Sequence, residues 1–256
     1  MKLQKLLDRS GFKDRSRLGR IYSRISAIPE GRALVSVIKE LGVKIGFRFG
    51  KRQGTQGGFA PDSWRIKINR FASDDRVIRV LAHEVRHAWQ HAQMGYEKGN
   101  RLPGLETNRF WTRMIEGDAT AFENIFMEAL CLHENKPMLQ NTLVYRAVYE
   151  QQNDMRFDDA ATFVKTIPLE QRMIDHFRMT QIAHGKFYDA NQYRQFTFND
   201  IVHPAGFLSS RFSRAMNLEN MRDLLRTDFN AQARNYGVHI DNDELCEITQ
   251  STLRYR

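Results

Sequence analysis

The sequence predicts an α+β protein that is predominantly α-helical, with one small β-sheet in its first half. Two observations support this prediction. Segments in which apolar and polar residues alternate, the pattern of half-buried strands, lie between residues 43 and 69. Apolar residues recur at helical spacing before and after that stretch, and again through residues 136–256, which we expect to be a helical C-terminal region.

The composition is ordinary for a soluble globular protein: of 256 residues, 41% are hydrophobic and 27% are charged. No apolar run is long enough to cross a membrane, and the first ten residues lack the apolar core of a signal peptide. We therefore expect a cytoplasmic protein, although export by a specialised secretion machine would leave no such mark. The two cysteines, Cys131 and Cys246, have no zinc-finger spacing, and nothing in the sequence indicates the oligomeric state.

The net charge of +9 leaves several kinds of partner open, because nucleic acids, anionic membranes and acidic proteins all attract basic proteins. The basic residues are dispersed except in the first fifty residues. There, arginines flank the apolar stripe of the first predicted helix: Arg15, Arg17, Arg20 and Arg24. We interpret this charge as mainly solvated surface, so nucleic acid is a less favoured partner than a peptide or protein.

Two helices are predicted before the strands. Apolar residues at helical spacing predict a helix over about residues 14–26, within a basic N-terminal segment that we place at residues 1–28. Pro29 is typical of the first turn of a second helix. Gly42 is typical of the position that follows a helix end.

Two alternating segments, residues 43–49 and 64–69, predict half-buried strands. Between them, the polar and glycine-rich residues 50–58 lack the GxGxxG and GK[ST] patterns of phosphate-binding loops, so we predict a hairpin connection there. A turn around Pro61-Asp62-Ser63 is predicted to separate Gly57–Ala60 from the second strand. The sheet precedes a long predicted helix. An edge strand in that position can hold an extended peptide by main-chain hydrogen bonds.

The long helix carries an HExxH motif at residues 83–87. Ser73 or Asp74 can cap its start, and Gly95 follows its end. Four residues make about one helical turn, so both histidines lie on one face and can bind the same divalent ion. Glu84 lies beside that face, where it can take a proton from a water activated by the metal. The motif also arises by chance on solvated helices, so the rest of the site decides its meaning.

Two histidines leave a zinc site one protein ligand short. The candidates for the third ligand are His91, Glu106, Glu116, Asp118 and Glu123. His91 lies about 12 Å from His83 along the helix axis, so we expect it to be an outer partner of the site or a surface residue.

Glu116 and Asp118 lie on the next predicted helix, which runs over about residues 108–132. They differ by about 200° around the helix axis, so one ion cannot be reached by both. Glu116 shares its face with Ala119 and Thr120, and such small residues allow a close approach to the motif helix. We therefore favour Glu116 as the ligand. Asp118, Glu123 and Asn69 are candidate hydrogen-bond partners of the ligand histidines.

Four segments together resemble a known class of enzymes: Gly57-Gly58-Phe59, residues 64–69, residues 81–90 and residues 116–122. In this order they resemble the gluzincin class of zinc metallopeptidases. The likeness is closest to ImmA/IrrE-type peptidases and to a group of uncharacterised bacterial metallopeptidases. It covers about residues 29–132.

The resemblance implies a zincin-like core, which we place at residues 29–135, and a peptide or protein substrate. It implies zinc bound by His83, His87 and Glu116, with Glu84 as the catalytic base. Two related classes are disfavoured. Gln90 and Gln93 stand where metzincins have glycine and histidine, and Thr120 replaces the aspartate that thermolysin-like enzymes carry four residues after the glutamate.

The sequence therefore predicts a zinc-dependent metallopeptidase. One alternative is a DNA-binding regulator whose metal site is structural or vestigial, and another is a protease-type effector that acts on one specific protein. The helical region after residue 135 either forms its own unit or packs on the same core. It contains the candidate donors to the oxyanion of the reaction: His184, Tyr188, Tyr193 and His203.

Overall fold

In the part of the chain that the structure describes, two helices, three short strands and two long helices follow one another up to residue 133. The computed structural model describes residues 12–49, 56–93, 105–136, 166–181, 223–229 and 233–241. The elements are α1 (Phe12–Ile25), α2 (Pro29–Glu40), β1 (Lys44–Arg48), β2 (Gly57–Ala60), β3 (Arg65–Asn69), α3 (Asp74–Gln93) and α4 (Leu105–His133). The predicted class, α+β and predominantly α, is confirmed.

The first two helices form where the sequence predicts them. The apolar stripe of α1 is buried, with Leu18 and Ile25 both at 0% exposure. Pro29 opens α2, where the missing N–H of proline costs nothing. Gly42 follows the helix with a φ of +64°, a left-handed conformation that glycine adopts without strain.

The strand order in the sheet is β1-β3-β2. β1 pairs with β3 in parallel, and β2 pairs with β3 antiparallel. The prediction of a hairpin at residues 50–58 is therefore wrong, since the hairpin joins β2 to β3 through a short 3₁₀ turn at Pro61–Ser63. β3 takes the centre because Ile66 and Ile68 are fully buried. β2, with two glycines, has less to bury and lies at the edge.

Among the described residues no strand pairs with β2 on the side away from β3, and this free edge is defined by the hydrogen bonds between β2 and β3. The N–H of Asn69 donates to the carbonyl of Gln56 at 2.7 Å. Because bonded and non-bonded pairs alternate in an antiparallel ladder, the main-chain groups of Gly57 and Phe59 face away from β3. Gly57 has no room for a side chain, since a Cβ there would overlap the Val80 side chain on α3. The edge strand therefore lies directly against α3.

α3 begins at its predicted cap, because the Ser73 Oγ accepts the Arg76 N–H at 3.3 Å. Its apolar face is fully buried at Val77, Val85 and Ala88. α3 therefore packs against the protein by that face, and the two histidines of the motif lie on a different face.

Arginines of α1 that the sequence analysis assigned to a solvated surface instead bind other elements. The Arg17 Nε lies 2.7 Å from Asp74 Oδ1, and its Nη1 donates to the Arg70 carbonyl at 2.8 Å. Arg24 pairs with Asp75 Oδ1 at 2.5 Å and with the carboxylate of Glu134. The solvated-surface interpretation is wrong for these two side chains, since they join α1 to the start of α3 and the end of α4.

The chain forms two compact units. The first contains residues 1–95, 122–166 and 228–232, and the second contains residues 96–121, 167–227 and 233–256. The predicted division after residues 28 and 135 stays a prediction.

In the second unit, residues 169–181 are helical. An isolated antiparallel bridge joins Arg226 to Asn235 just before a 3₁₀ turn at Tyr236–His239. None of the described helices is long and apolar enough to cross a membrane.

The Arg24–Glu134 pair predicts a pH-dependent contribution to stability. The hydrogen bond from Arg24 holds the pKa of Glu134 at about 2, with a smaller contribution from Lys136. This pKa is depressed relative to the unfolded chain, so the stabilisation is complete above about pH 4.5 and is lost as the pH falls towards 2. We expect Glu134→Gln to lower the free energy of unfolding at neutral pH, and the deficit to shrink across that window in urea titrations.

The control for this prediction is a double-mutant cycle with Arg24→Met. In that background Glu134→Gln should have little further effect. An unchanged deficit there would show that Arg24 is not the cause.

Candidate metal centre

The two histidines of the HExxH motif converge on one point. The Nε2 atoms of His83 and His87 lie 3.0 Å apart, and the ring planes are nearly perpendicular. Two nitrogens bound to one tetrahedral zinc ion at about 2.05 Å would be about 3.3 Å apart. The one-turn spacing on α3 thus presents the pair at close to the separation that a shared ion requires.

A carboxylate on α4 completes the group. His83, His87 and Glu116 each offer one ligand atom, and these atoms lie within 4.8 Å of one another. All three side chains are partly accessible. Two imidazole nitrogens and one carboxylate oxygen are the donor set of a catalytic zinc site with an open fourth position. By the chemistry of its donors, this group fits a zinc ion.

Glu84 lies at the interface between α3 and the edge strand. Its Oε2 accepts the main-chain N–H of Phe59 at 2.8 Å. That N–H points away from β3, so the carboxylate of Glu84 lies at the free edge of β2. The bond holds the side chain, which follows His83 directly on α3, beside the edge strand.

The outer nitrogen of His83 faces a buried carboxylate. Its Nδ1 lies 3.1 Å from Glu123 Oε2. Burial alone would raise the pKa of Glu123, but the hydrogen bond with His83 and the charges of His83 and Arg79 lower it overall. An ionised Glu123 favours the His83 tautomer with the proton on Nδ1, which leaves the Nε2 lone pair free for a metal.

Arg79 fixes the position of Glu123. Its guanidinium pairs with Glu123 Oε1 and also donates from Nη2 to Asn124 Oδ1 at 2.9 Å. Arg79 is one turn before His83 on α3, and its side chain is only 12% exposed. Glu123 is a candidate from the sequence and Arg79 is not, although the i, i+4 spacing of Arg79 from His83 is a usable signal.

The outer nitrogen of His87 has a neutral partner. Its Nδ1 lies 2.9 Å from Gln90 Oε1, and Gln90 is buried at 1% exposure. The amide oxygen can accept a proton held on Nδ1, which again leaves Nε2 free. In the sequence Gln90 stands out only as a departure from the metzincin pattern, so its contact with His87 is not among the predictions.

Comparison with protein-family models gives a match over residues 2–194, to the model described as "Putative metallopeptidase family (DUF6782)". The match covers well over half of the 256 residues. The chain belongs to this family. No curated protein and no solved structure matches the chain significantly. A metallopeptidase requires a metal ion and acts on a peptide or protein, and the matched part of this family member contains the whole His83, His87 and Glu116 group.

Other candidate residues have different surroundings. Asp118 is fully buried and accepts a hydrogen bond from the Tyr236 hydroxyl at 2.6 Å. His91 packs against Phe59 and Trp64, with ring centroids 6.0 and 5.5 Å away, and burial lowers its pKa despite the nearby Asp62. Neither belongs to the three-residue group.

The remaining candidates are Asn69, Glu106 and the possible oxyanion donors. The amide oxygen of Asn69 accepts the Phe71 N–H at 3.1 Å, so Asn69 closes the turn after β3. The side chain of Glu106 and the candidate oxyanion donors lie outside the described residues; those donors are His184, Tyr188, Tyr193 and His203.

Arg86, inside the motif, has a packing role. It is fully buried, and its guanidinium lies over the rings of Trp89, Phe122 and Phe229. Its Nη1 also donates to the Asp228 carbonyl at 2.9 Å. The face of α3 away from the histidines is thus held by a buried cation among aromatic rings.

The Arg79–Glu123 contact predicts an effect on metal affinity. Arg79→Met removes the group that orients Glu123 on His83, and such outer partners typically contribute 10–100-fold to metal affinity. We expect the Kd for added Zn²⁺, measured by competition with a chelator, to rise by about that factor.

Arg76→Met is the matched control, because Arg76 is exposed on the same helix. It should bind Zn²⁺ as the wild type does. Equal affinities of the Arg79 and Arg76 variants would contradict a function for Arg79 at the site.

Proposed function

We propose that this family member is a zinc-dependent metallopeptidase of the gluzincin type, with Glu84 as its general base. The main support is the convergence of His83, His87 and Glu116, whose ligand atoms lie within 4.8 Å of one another. The outer contacts of both histidines support it too, because Glu123 and Gln90 favour the tautomers that free both Nε2 atoms.

When bound, zinc supplies a Lewis acid that lowers the pKa of water towards about 7 and polarises a carbonyl. His83, His87 and Glu116 hold it. Glu84 takes the proton of the attacking water and passes it to the leaving amine of the scissile bond. Before substrate binds, the Phe59 N–H holds this carboxylate at the edge strand.

The free edge of β2 binds the substrate. An extended peptide there accepts the Phe59 N–H through its own carbonyl, and it pairs with the outward main-chain groups of Gly57 in the same way. When a substrate carbonyl replaces the Glu84 carboxylate on the Phe59 N–H, Glu84 is released for proton transfer. Binding and activation of the base are thus coupled through one hydrogen bond.

The alternatives have less support. Arg17 and Arg24, the arginines that motivated a DNA-binding role, form ion pairs within the protein. A protease-type effector would use the same chemistry, so only the identity of its target protein would distinguish it.

Metal analysis tests the proposal directly. We expect about one zinc per chain in the wild type, and markedly less in His83→Ala and in Glu116→Ala, because two protein ligands hold a catalytic zinc poorly. Glu84→Gln should retain the zinc and lose cleavage of a peptide library.

His133→Ala is the matched control, since His133 is exposed at the end of α4. It should retain both zinc and cleavage. Cleavage by Glu84→Gln at the wild-type rate would exclude Glu84 as the base.

The edge-strand proposal predicts that the Phe59 N–H matters more than the Phe59 side chain. Phe59→Pro removes the N–H at an edge position where the sheet tolerates proline, and Phe59→Leu retains it. We expect KM to rise about tenfold in the proline variant relative to the leucine variant, as for the loss of one main-chain hydrogen bond.

Circular dichroism of both variants should show an intact fold. Equal KM values for the two would indicate that the substrate does not pair with β2 at this residue.

A further inference from the structure

We propose that Tyr236 is a positioning residue for the metal ligand Glu116, acting through Asp118 and the backbone of α4. The inference rests on the proposed zinc site. Tyr236 lies beyond residue 194, where the family match ends. A residue outside the matched region would therefore control the geometry of a ligand inside it.

The contact between Tyr236 and Asp118 is short and completely buried. The tyrosine hydroxyl donates to Asp118 Oδ1 at 2.6 Å, and both residues have 0% exposure. The two are 118 positions apart in the sequence. A buried carboxyl group is costly unless it is hydrogen-bonded, so a rotation of α4 that breaks this bond is opposed by a desolvation cost.

A second contact holds the neighbouring position of α4. A Cβ on Gly117 would lie 2.8 Å from Phe177 Cε2 and would also overlap the Gln181 amide, so the helix at residues 169–181 packs directly on the α4 backbone. The Gln181 Nε2 donates to the Arg113 carbonyl at 2.9 Å, one turn earlier on α4.

Two of these contacts are made by side chains that also touch one another. Phe177 also packs against the Tyr236 ring, with centroids 6.3 Å apart. The residues that hold α4 here all lie in the second unit. Adjacent positions 117 and 118 are thus fixed by one connected cluster.

Fixing two adjacent positions fixes the rotation of the helix about its axis. Consecutive residues are about 100° apart, so Glu116 projects in a different direction from Gly117 and Asp118. A side-chain tip lies about 5–6 Å from the helix axis, so a rotation of about 20° would move the Glu116 carboxylate by about 2 Å. Metal–ligand distances tolerate only about 0.2 Å. The anchors at 117 and 118 therefore set the direction in which the Glu116 side chain leaves α4 within the second unit.

The test is the zinc affinity of Tyr236→Phe, which removes one hydroxyl from the anchor. We expect its Kd for Zn²⁺, measured by chelator competition, to be about tenfold or more weaker than that of the wild type. Tyr22→Phe is the matched control, because Tyr22 is also buried, at 3% exposure, but lies on α1. It should leave the zinc Kd unchanged.

A double-mutant cycle separates positioning from general destabilisation. In a Glu116→Gln background, Tyr236→Phe should not weaken the residual zinc binding further. An equal weakening in both backgrounds would overturn the proposal. Asp118→Ala, which removes the acceptor of the tyrosine hydroxyl, is a second variant in case Tyr236→Phe does not fold, and a wild-type Kd for it would also overturn the proposal.

The outcomes separate this inference from the proposed function. Absence of zinc binding by the wild type would overturn both. Normal binding by the wild type and an unchanged Kd for Tyr236→Phe would overturn the inference alone. Weaker binding by Tyr236→Phe, with Tyr22→Phe unchanged, would support it.

Discussion

The site depends on one constraint: the two imidazoles of α3 must present their Nε2 atoms to the same point. A helix gives the spacing, since four residues bring His83 and His87 onto one face, but it does not fix the ring orientation or the tautomer. Those are fixed from outside the pair, by the carboxylate of Glu123 at His83 and the amide of Gln90 at His87. The Nε2 separation of 3.0 Å is the result of both. Local helix geometry brings the rings together, and their orientation is set by a tertiary contact at His83 and by a contact within α3 at His87.

Much of this arrangement follows from the sequence because it is local. The class of fold, the start of α3 at Ser73 and the end of α2 before Gly42 depend on residues within a few positions of each other. The sheet topology depends on residues that are far apart in the sequence, and the prediction of a hairpin in the glycine-rich stretch after β1 is wrong. Composition indicates where the chain turns, but it does not indicate which strands then pair with each other. Here the more apolar β3 takes the centre and separates β1 from β2.

The residues of the site also include some that local sequence predicts and some that it does not. Periodicity alone indicates that Glu116 and Asp118 face opposite sides of α4, because about 200° separates them, and the structure places Glu116 with the histidines and Asp118 in a buried contact with Tyr236. The identity of that contact was beyond sequence reasoning, since nothing near Asp118 in the sequence points to a tyrosine 118 positions away. Arg79 and Gln90 were within reach, because each lies one turn from a histidine on the same helix.

Several charged groups around the site are fully or largely buried, although a hydrophobic core does not require any charged group inside it. Arg86 and Asp118 have 0% exposure, and the side chains of Arg79 and Glu123 are 12% and 15% exposed. Desolvation cancels much of the attraction in such contacts, so their net contribution to stability is small. Apolar residues of similar size could fill the same space.

What apolar residues cannot do is fix direction, because a hydrogen bond weakens steeply with angle whereas apolar packing is non-directional. A metal site that tolerates displacements of about 0.2 Å needs that directionality. Burying these groups is costly, and the benefit that best explains it is the accuracy with which they hold the ligands.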